Sequence, residues 1–117
     1  MHELSLAQSV VDIVENAALA NKVNKVSKVQ LAVGKLAGVE MQSFNQGLKI
    51  ASRDTVMQDA KIEITRPEGT AWCMDCAETV PLKRYGDPCP VCGGYRLTVN
   101  GGTDFKVTGI IVEEEDA

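Results

Sequence analysis

One histidine, one tryptophan, two tyrosines and two phenylalanines supply nearly all the aromatic chemistry of this 117-residue chain. A core must therefore be filled mainly by aliphatic side chains, which the hydrophobic fraction of 44% allows. Excess positive charge is missing too: 12 Lys and Arg stand against 16 Asp and Glu, for a formal charge of −4. Affinity for a nucleic-acid backbone rests on cations displacing counterions, so this balance argues against a polyphosphate binder. No apolar run approaches the roughly 20 residues needed to cross a bilayer. The first twenty residues carry Glu3, Asp12 and Glu15 and no basic cluster, which argues against an export signal. A cytoplasmic protein, with no membrane partner, is the expectation. The length suits one domain, or a small domain carrying a stapled lobe.

Four cysteines are present, at two C-x₂-C steps, Cys73/Cys76 and Cys89/Cys92, with twelve residues between the pairs. One C-x₂-C turn aims two sulfurs at a common point, and two such turns complete a tetrahedron, the pattern of a Cys₄ zinc site. In Cys89-Pro90-Val91-Cys92-Gly93-Gly94, Pro90 presets φ. The glycines permit the positive φ that turns backbone N–H groups back toward sulfur. Cysteines spaced for metal in a reducing compartment are read more readily as ligands than as a disulfide framework. Closed Cys₄ coordination leaves no open position for substrate, so the expected zinc is structural and no catalytic residue is assigned.

Residues 4–20 read as an amphipathic helix, with Leu6, Val10, Ile13, Val14 and Ala17 on the inner stripe and Gln8, Asp12, Glu15 and Asn16 opposite. Residues 26–33 alternate as a half-exposed strand, and Gly34 to Gly38 turn the chain. A second helix over about 40–53 places Phe44, Leu48 and Ala51 together, with Glu40 as an acidic start. Strands are expected at 61–66, 79–82, 96–99 and 105–112, and an acidic tail, Glu113–Asp116, reads as solvated. In the cysteine segment Asp75, Glu78 and Asp87 balance Lys83, Arg84 and Arg96, and Trp72 is expected to pack inside it.

This order predicts an α+β fold: two helices packed on a three-stranded mixed sheet, with an inserted zinc-ribbon-like Cys₄ lobe. Residues 1–69 plus 102–117 would form one discontinuous domain, and 70–101 the inserted one.

The lone histidine is His2. Methionine aminopeptidases act before small second residues, so Met1 is expected to remain. Its free amine, the His2 amide nitrogen and the His2 imidazole can reach one ion through adjoining chelate rings. The Glu3 amide nitrogen would complete a four-nitrogen plane, a geometry that Ni(II) and Cu(II) accept and Zn²⁺ does not favour. Amide nitrogens must lose protons to bind, so such a site weakens as pH falls. Considered alone, a histidine near a terminus is more often solvated, and Glu3 more often a first-turn acid favouring the helix dipole.

Met1-His2-Glu3-Leu4-Ser5-Leu6, the stretch from Val33 to Glu40, and Trp72-Cys73-x-x-Cys76 with Cys89-Pro90-x-Cys92 together resemble the HypA/HybF family of nickel-insertion accessory proteins for [NiFe] hydrogenase. The resemblance runs through the whole chain in order and length. It implies a metallochaperone, not an enzyme, that takes Ni²⁺ as transient cargo at Met1, His2 and Glu3, with His2 the essential side chain. It implies structural Zn²⁺ on Cys73, Cys76, Cys89 and Cys92. It also implies work with the GTPase HypB, docking on the immature hydrogenase large subunit, and in some members service to urease maturation. A monomer or weak homodimer is expected. Some relatives carry further histidines near the knuckles, and here no second imidazole exists to join a nickel site. The alternative is a zinc-ribbon interaction module contacting nucleic acid or a transcription complex, supported by the knuckle spacing alone. Rubredoxin-like iron also fits Cys-Pro-x-Cys-Gly, and would colour the protein red.

Overall fold

The computed structural model describes residues 2–112, so Met1 and the acidic tail lie outside the described residues. Its elements, in chain order, are α1 (His2–Ala20), β1 (Val26–Val33), α2 (Met41–Ala51), β2 (Lys61–Thr65), β3 (Thr70–Cys73), β4 (Glu78–Pro81), β5 (Leu97–Gly101) and β6 (Phe105–Val112). They build a mixed three-stranded sheet of order β2-β1-β6 and a second of order β4-β3-β5. The α+β expectation holds. No helix among the described residues is long and apolar enough to cross a membrane.

Two compact units result. The first comprises residues 2–31, 40–64 and 107–112 of those described. Its buried apolar side chains come from α1, α2, the central strand β1 and Met57. The inner stripe of α1 is Ala7, Val10, Val11, Val14 and Ala18, while Ile13, expected inside, is 50% exposed. The expected Leu6 and Ala17 are only half-buried. The reason is the neighbouring helix. A Cβ on Gly47 of α2 would lie 3.5 Å from Ala7 Cβ and from Leu4 Cδ1, so the helices meet through small residues. Such an approach favours alanine over the bulkier Ile13 at the contact. At the start of α2, Glu40 is the N-cap, its carboxylate accepting from the Gln42 and Ser43 N–H groups at 3.3 and 2.7 Å.

The second unit comprises residues 32–39 and 65–106. It therefore reaches beyond 70–101, because backbone hydrogen bonds tie in the flanking segments. Gly34 N–H donates to Asp104 O and Leu36 N–H to Gly102 O, each at 2.8 Å, and Lys35 N–H donates to Pro67 O at 2.9 Å. Gly34 is required there, since a Cβ would overlap the Gly102 carbonyl. Leu36 joins Ala71 and Leu82 in a small buried cluster, with Leu97 and Val99 against it.

Strand β3, which the sequence reading did not anticipate, is the centre of the second sheet. Its Ala71 and Cys73 are buried, while Trp72 faces the other way, 44% exposed between its cross-strand neighbours Thr79 and Thr98. Strand alternation thus turns Trp72 outward once Cys73 is committed inward, which corrects the expectation that it packs inside.

Candidate metal centre

The four cysteines converge. Their sulfurs all lie within 4.8 Å of one another, with Cys73 and Cys89 buried, Cys76 half-buried and Cys92 exposed. Cys73 Sγ is 3.7 Å from Cys92 Sγ, and Cys76 Sγ is 3.9 Å from Cys89 Sγ. These are not disulfides, whose sulfurs sit about 2.05 Å apart. They match a different figure. Four sulfurs bound about 2.3 Å from a central Zn²⁺ define a tetrahedron with an edge of about 3.8 Å. The donor set and its spacing fit one thiophilic cation.

Local backbone geometry explains the convergence. β3 delivers Cys73 to the sheet's end, and the Cys76 N–H turns back to Cys73 Sγ at 3.4 Å. In the second knuckle the Val91 N–H does the same toward Cys89 Sγ at 3.4 Å. Cys89 N–H donates to Gly94 O at 2.7 Å, and Gly93 N–H donates to Cys89 O at 2.8 Å. Both knuckles close with left-handed backbone, at Ala77 (φ 52°) and Gly93 (φ 75°). Arg96 reaches across to Asp75, Nη2 to Oδ1 at 3.3 Å, tying the segment after the second knuckle to the first.

The thiols do not titrate alike. Backbone N–H groups of Cys92 and then Val91 stabilise the Cys89 thiolate and lower its pKa to about 7. The neighbouring Cys92 sulfur, burial and the other two cysteines push Cys76 well up. Four crowded thiols resist joint ionisation unless a cation compensates, which is the electrostatic side of the same fit.

The amino-terminal residues stand in the other unit. His2 opens α1 with its side chain 67% exposed, its Nδ1 3.8 Å from Glu3 Oε2. The same Glu3 oxygen accepts the Glu40 N–H at 3.2 Å. That N–H, then the Glu3 N–H, hold the Glu3 carboxyl below its usual value, and His2 adds a smaller pull. The Ser43 hydroxyl, followed by the Ser43 N–H, does the same for Glu40. The Glu3–Glu40 tie was missed by sequence reading. It joins residues 37 apart, and nothing local announces such a bond.

An α+β fold with four converging cysteines fits a small metal-binding protein, and relatives narrow this. The family described as hydrogenase/urease nickel incorporation, metallochaperone, hypA matches residues 1–112. The chain is 46% identical over 113 residues to the hydrogenase maturation factor HypA of Albidiferax ferrireducens, covering 97% of this chain and 100% of that protein. It is 41% identical over 114 residues to the HypA of Cupriavidus necator, covering 97% and 96%. The solution structure of the Ni metallochaperone HypA from Helicobacter pylori shares the fold at a TM-score of 0.65 and 18% identity, over 95% of this chain and 98% of that one. A second HypA solution structure matches at a TM-score of 0.70 and 19% identity, over 97% of each. The chain belongs to the HypA family of hydrogenase nickel-incorporation metallochaperones.

Proposed function

We propose that this chain carries Ni²⁺ at its amino terminus and delivers it to the large subunit of a [NiFe] hydrogenase during maturation, acting as a carrier and not as a catalyst. The Met1 amine, the His2 amide and imidazole, and the Glu3 amide are the donors in this reading. Zn²⁺ on Cys73, Cys76, Cys89 and Cys92 holds the second unit folded, so nickel handling belongs to the first unit and zinc to the second. The carrier would work in the cytoplasm beside a HypB-type GTPase, and service to urease maturation belongs to the same reading.

The observation that carries it is His2, exposed at the head of α1 in a chain matched by the nickel-incorporation family from residue 1 onward. The first N–H groups of a helix have no intrahelical acceptor, so deprotonating the amides of residues 2 and 3 breaks no bond of the helical ladder. Imidazole and amide nitrogen suit square-planar Ni(II), whereas four thiolates suit Zn²⁺. A carrier also needs donors that exchange, and a helix end can open without unfolding a core.

The test uses zinc-loaded protein with Met1 as its true first residue. About one further Ni²⁺ per chain should bind, by calorimetry and metal analysis, in the nitrogen-rich planar manner. His2→Ala should abolish that binding and leave zinc content and fold intact, and a tag residue before Met1 should weaken it. Equal nickel uptake by wild type and His2→Ala would refute the assignment.

A further inference from the structure

Glu3 has one carboxylate oxygen engaged in two directions. Oε2 accepts the backbone N–H of Glu40 at 3.2 Å and faces His2 Nδ1 at 3.8 Å. The Glu3 side chain is only 16% exposed, against 67% for His2. Glu40 is itself fixed, as the N-cap of α2, by the N–H groups of Gln42 and Ser43. The Glu3 carboxylate is thus moored to the start of the second helix. Nδ1 is also the ring nitrogen nearer the main chain, and so the one that can share an ion with the amide nitrogens of residues 2 and 3.

We propose that the Glu3 carboxylate is a positioning group and not a nickel ligand: it ties the first turn of α1 to the start of α2 and keeps His2 Nδ1 on the side where the chelate closes. This rests on the amino-terminal nickel reading above. Only the main-chain nitrogen of Glu3 goes to the metal. Without the tie His2 samples more conformations, and binding must order it; fixing it beforehand removes part of that cost. Glu40 takes part through its N–H, so its side chain is free to act as the cap of α2.

The test compares wild type, Glu3→Ala and Glu3→Gln as full chains with the native Met1, zinc-loaded and titrated with a Ni²⁺ salt. Glu3→Ala should weaken nickel by about tenfold, and Glu3→Gln, whose amide oxygen can still accept the Glu40 N–H, should recover most of that loss. The visible absorption of bound Ni²⁺ should be the same in all three, since no donor atom changes. In the nickel-free proteins the Glu40 amide proton should move upfield in Glu3→Ala and stay near its wild-type position in Glu3→Gln. A changed nickel spectrum in Glu3→Gln, or loss of nickel in both variants as complete as in His2→Ala, would make the carboxylate a ligand and overturn the proposal. So would wild-type affinity in Glu3→Ala. Should wild type itself take no nickel, the amino-terminal reading fails. The Glu40 amide then decides the tie alone: an upfield shift in Glu3→Ala supports it, and an unmoved signal overturns it.

Discussion

The cysteine cluster and the proposed amino-terminal site of this chain hold their donors in opposite ways. In the second unit the donors are side chains from two knuckles separated by twelve residues, and Cys73 and Cys89 are 0% and 2% exposed. At the amino terminus the proposed donors are consecutive in sequence, mostly main chain, and headed by an imidazole 67% exposed. An ion in the first setting must leave four sulfurs, two of them buried, at a sheet end and in a hydrogen-bonded turn. In the second it can leave when one helical turn frays. The contrast teaches that kinetic lability can be set by where donors sit in the fold, as much as by which donor atoms are used.

Removing one cysteine breaks the comparison most severely. Binding free energy at a structural zinc site is folding free energy, on the order of 10 kcal/mol for small zinc modules. Cys76→Ala should therefore release the metal and unfold the second unit, whose buried clusters are small: Leu36, Ala71 and Leu82 in one, Cys73, Val80 and Cys89 in the other. α1 should survive. Metal analysis would show zinc gone, amide signals of 70–101 would collapse toward random-coil positions, and those of α1 would stay dispersed. A metal-free Cys76→Ala protein with a dispersed second unit would contradict the structural role.

How far sequence alone reached follows the same division. The knuckles were legible because a C-x₂-C turn is a local device, and the pairing of two such turns leaves one geometry. β1 was legible from alternation, β6 from its apolar, β-branched run, and α2 from Phe44 and Leu48 at helical spacing. Strand β3 was not, since four residues ending in a ligand carry too little pattern to read as the middle of a sheet. The inner stripe of α1 was misjudged because alanine is neutral in such patterns, and the choice between Ala7 and Ile13 is made by Gly47 on another helix. That residues 32–39 group with the second unit was not legible for a like reason: the backbone N–H groups of Gly34 and Leu36 bond to Asp104 and Gly102, far along the chain. The nickel assignment came from resemblance, and the chelate chemistry of Met1, His2 and Glu3 only made it reasonable.

Acid sharpens the comparison within the first unit. The Glu40 carboxyl lies below its usual value of 4.5 through the Ser43 hydroxyl and then the Ser43 and Gln42 N–H groups. Glu63 lies below the same value through the Gln30 side chain and then Lys28. A carboxyl whose folded pKa is depressed contributes stability that is fully present above the unfolded value and is lost as pH falls through the folded one. The first unit should accordingly hold its helical signal down to about pH 4.5 and lose stability progressively below it. Denaturation midpoints measured by circular dichroism from pH 6 to 3 would show this, and Glu40→Gln with Glu63→Gln should flatten the decline. A decline unchanged in the double variant would assign it to other groups.

The smallest expected effect lies between the knuckles themselves. Each closes on a left-handed residue, yet one is Ala77 at φ 52° and the other Gly93 at φ 75°. A side chain in that region costs about 1–2 kcal/mol, which glycine avoids at the expense of a more flexible unfolded chain. Ala77→Gly should then stabilise the zinc-loaded second unit slightly, by about 0.5 kcal/mol after the two terms are set against each other. Gly93→Ala should destabilise it by about 0.5–1 kcal/mol from the same two terms, since a Cβ there meets nothing within 4 Å. Chelator competition for zinc would read both changes as opposite shifts in apparent affinity. If Ala77→Gly weakened zinc, the Ala77 methyl would have to contribute contacts that outweigh its strain, and the two knuckles would differ in more than their closing residue.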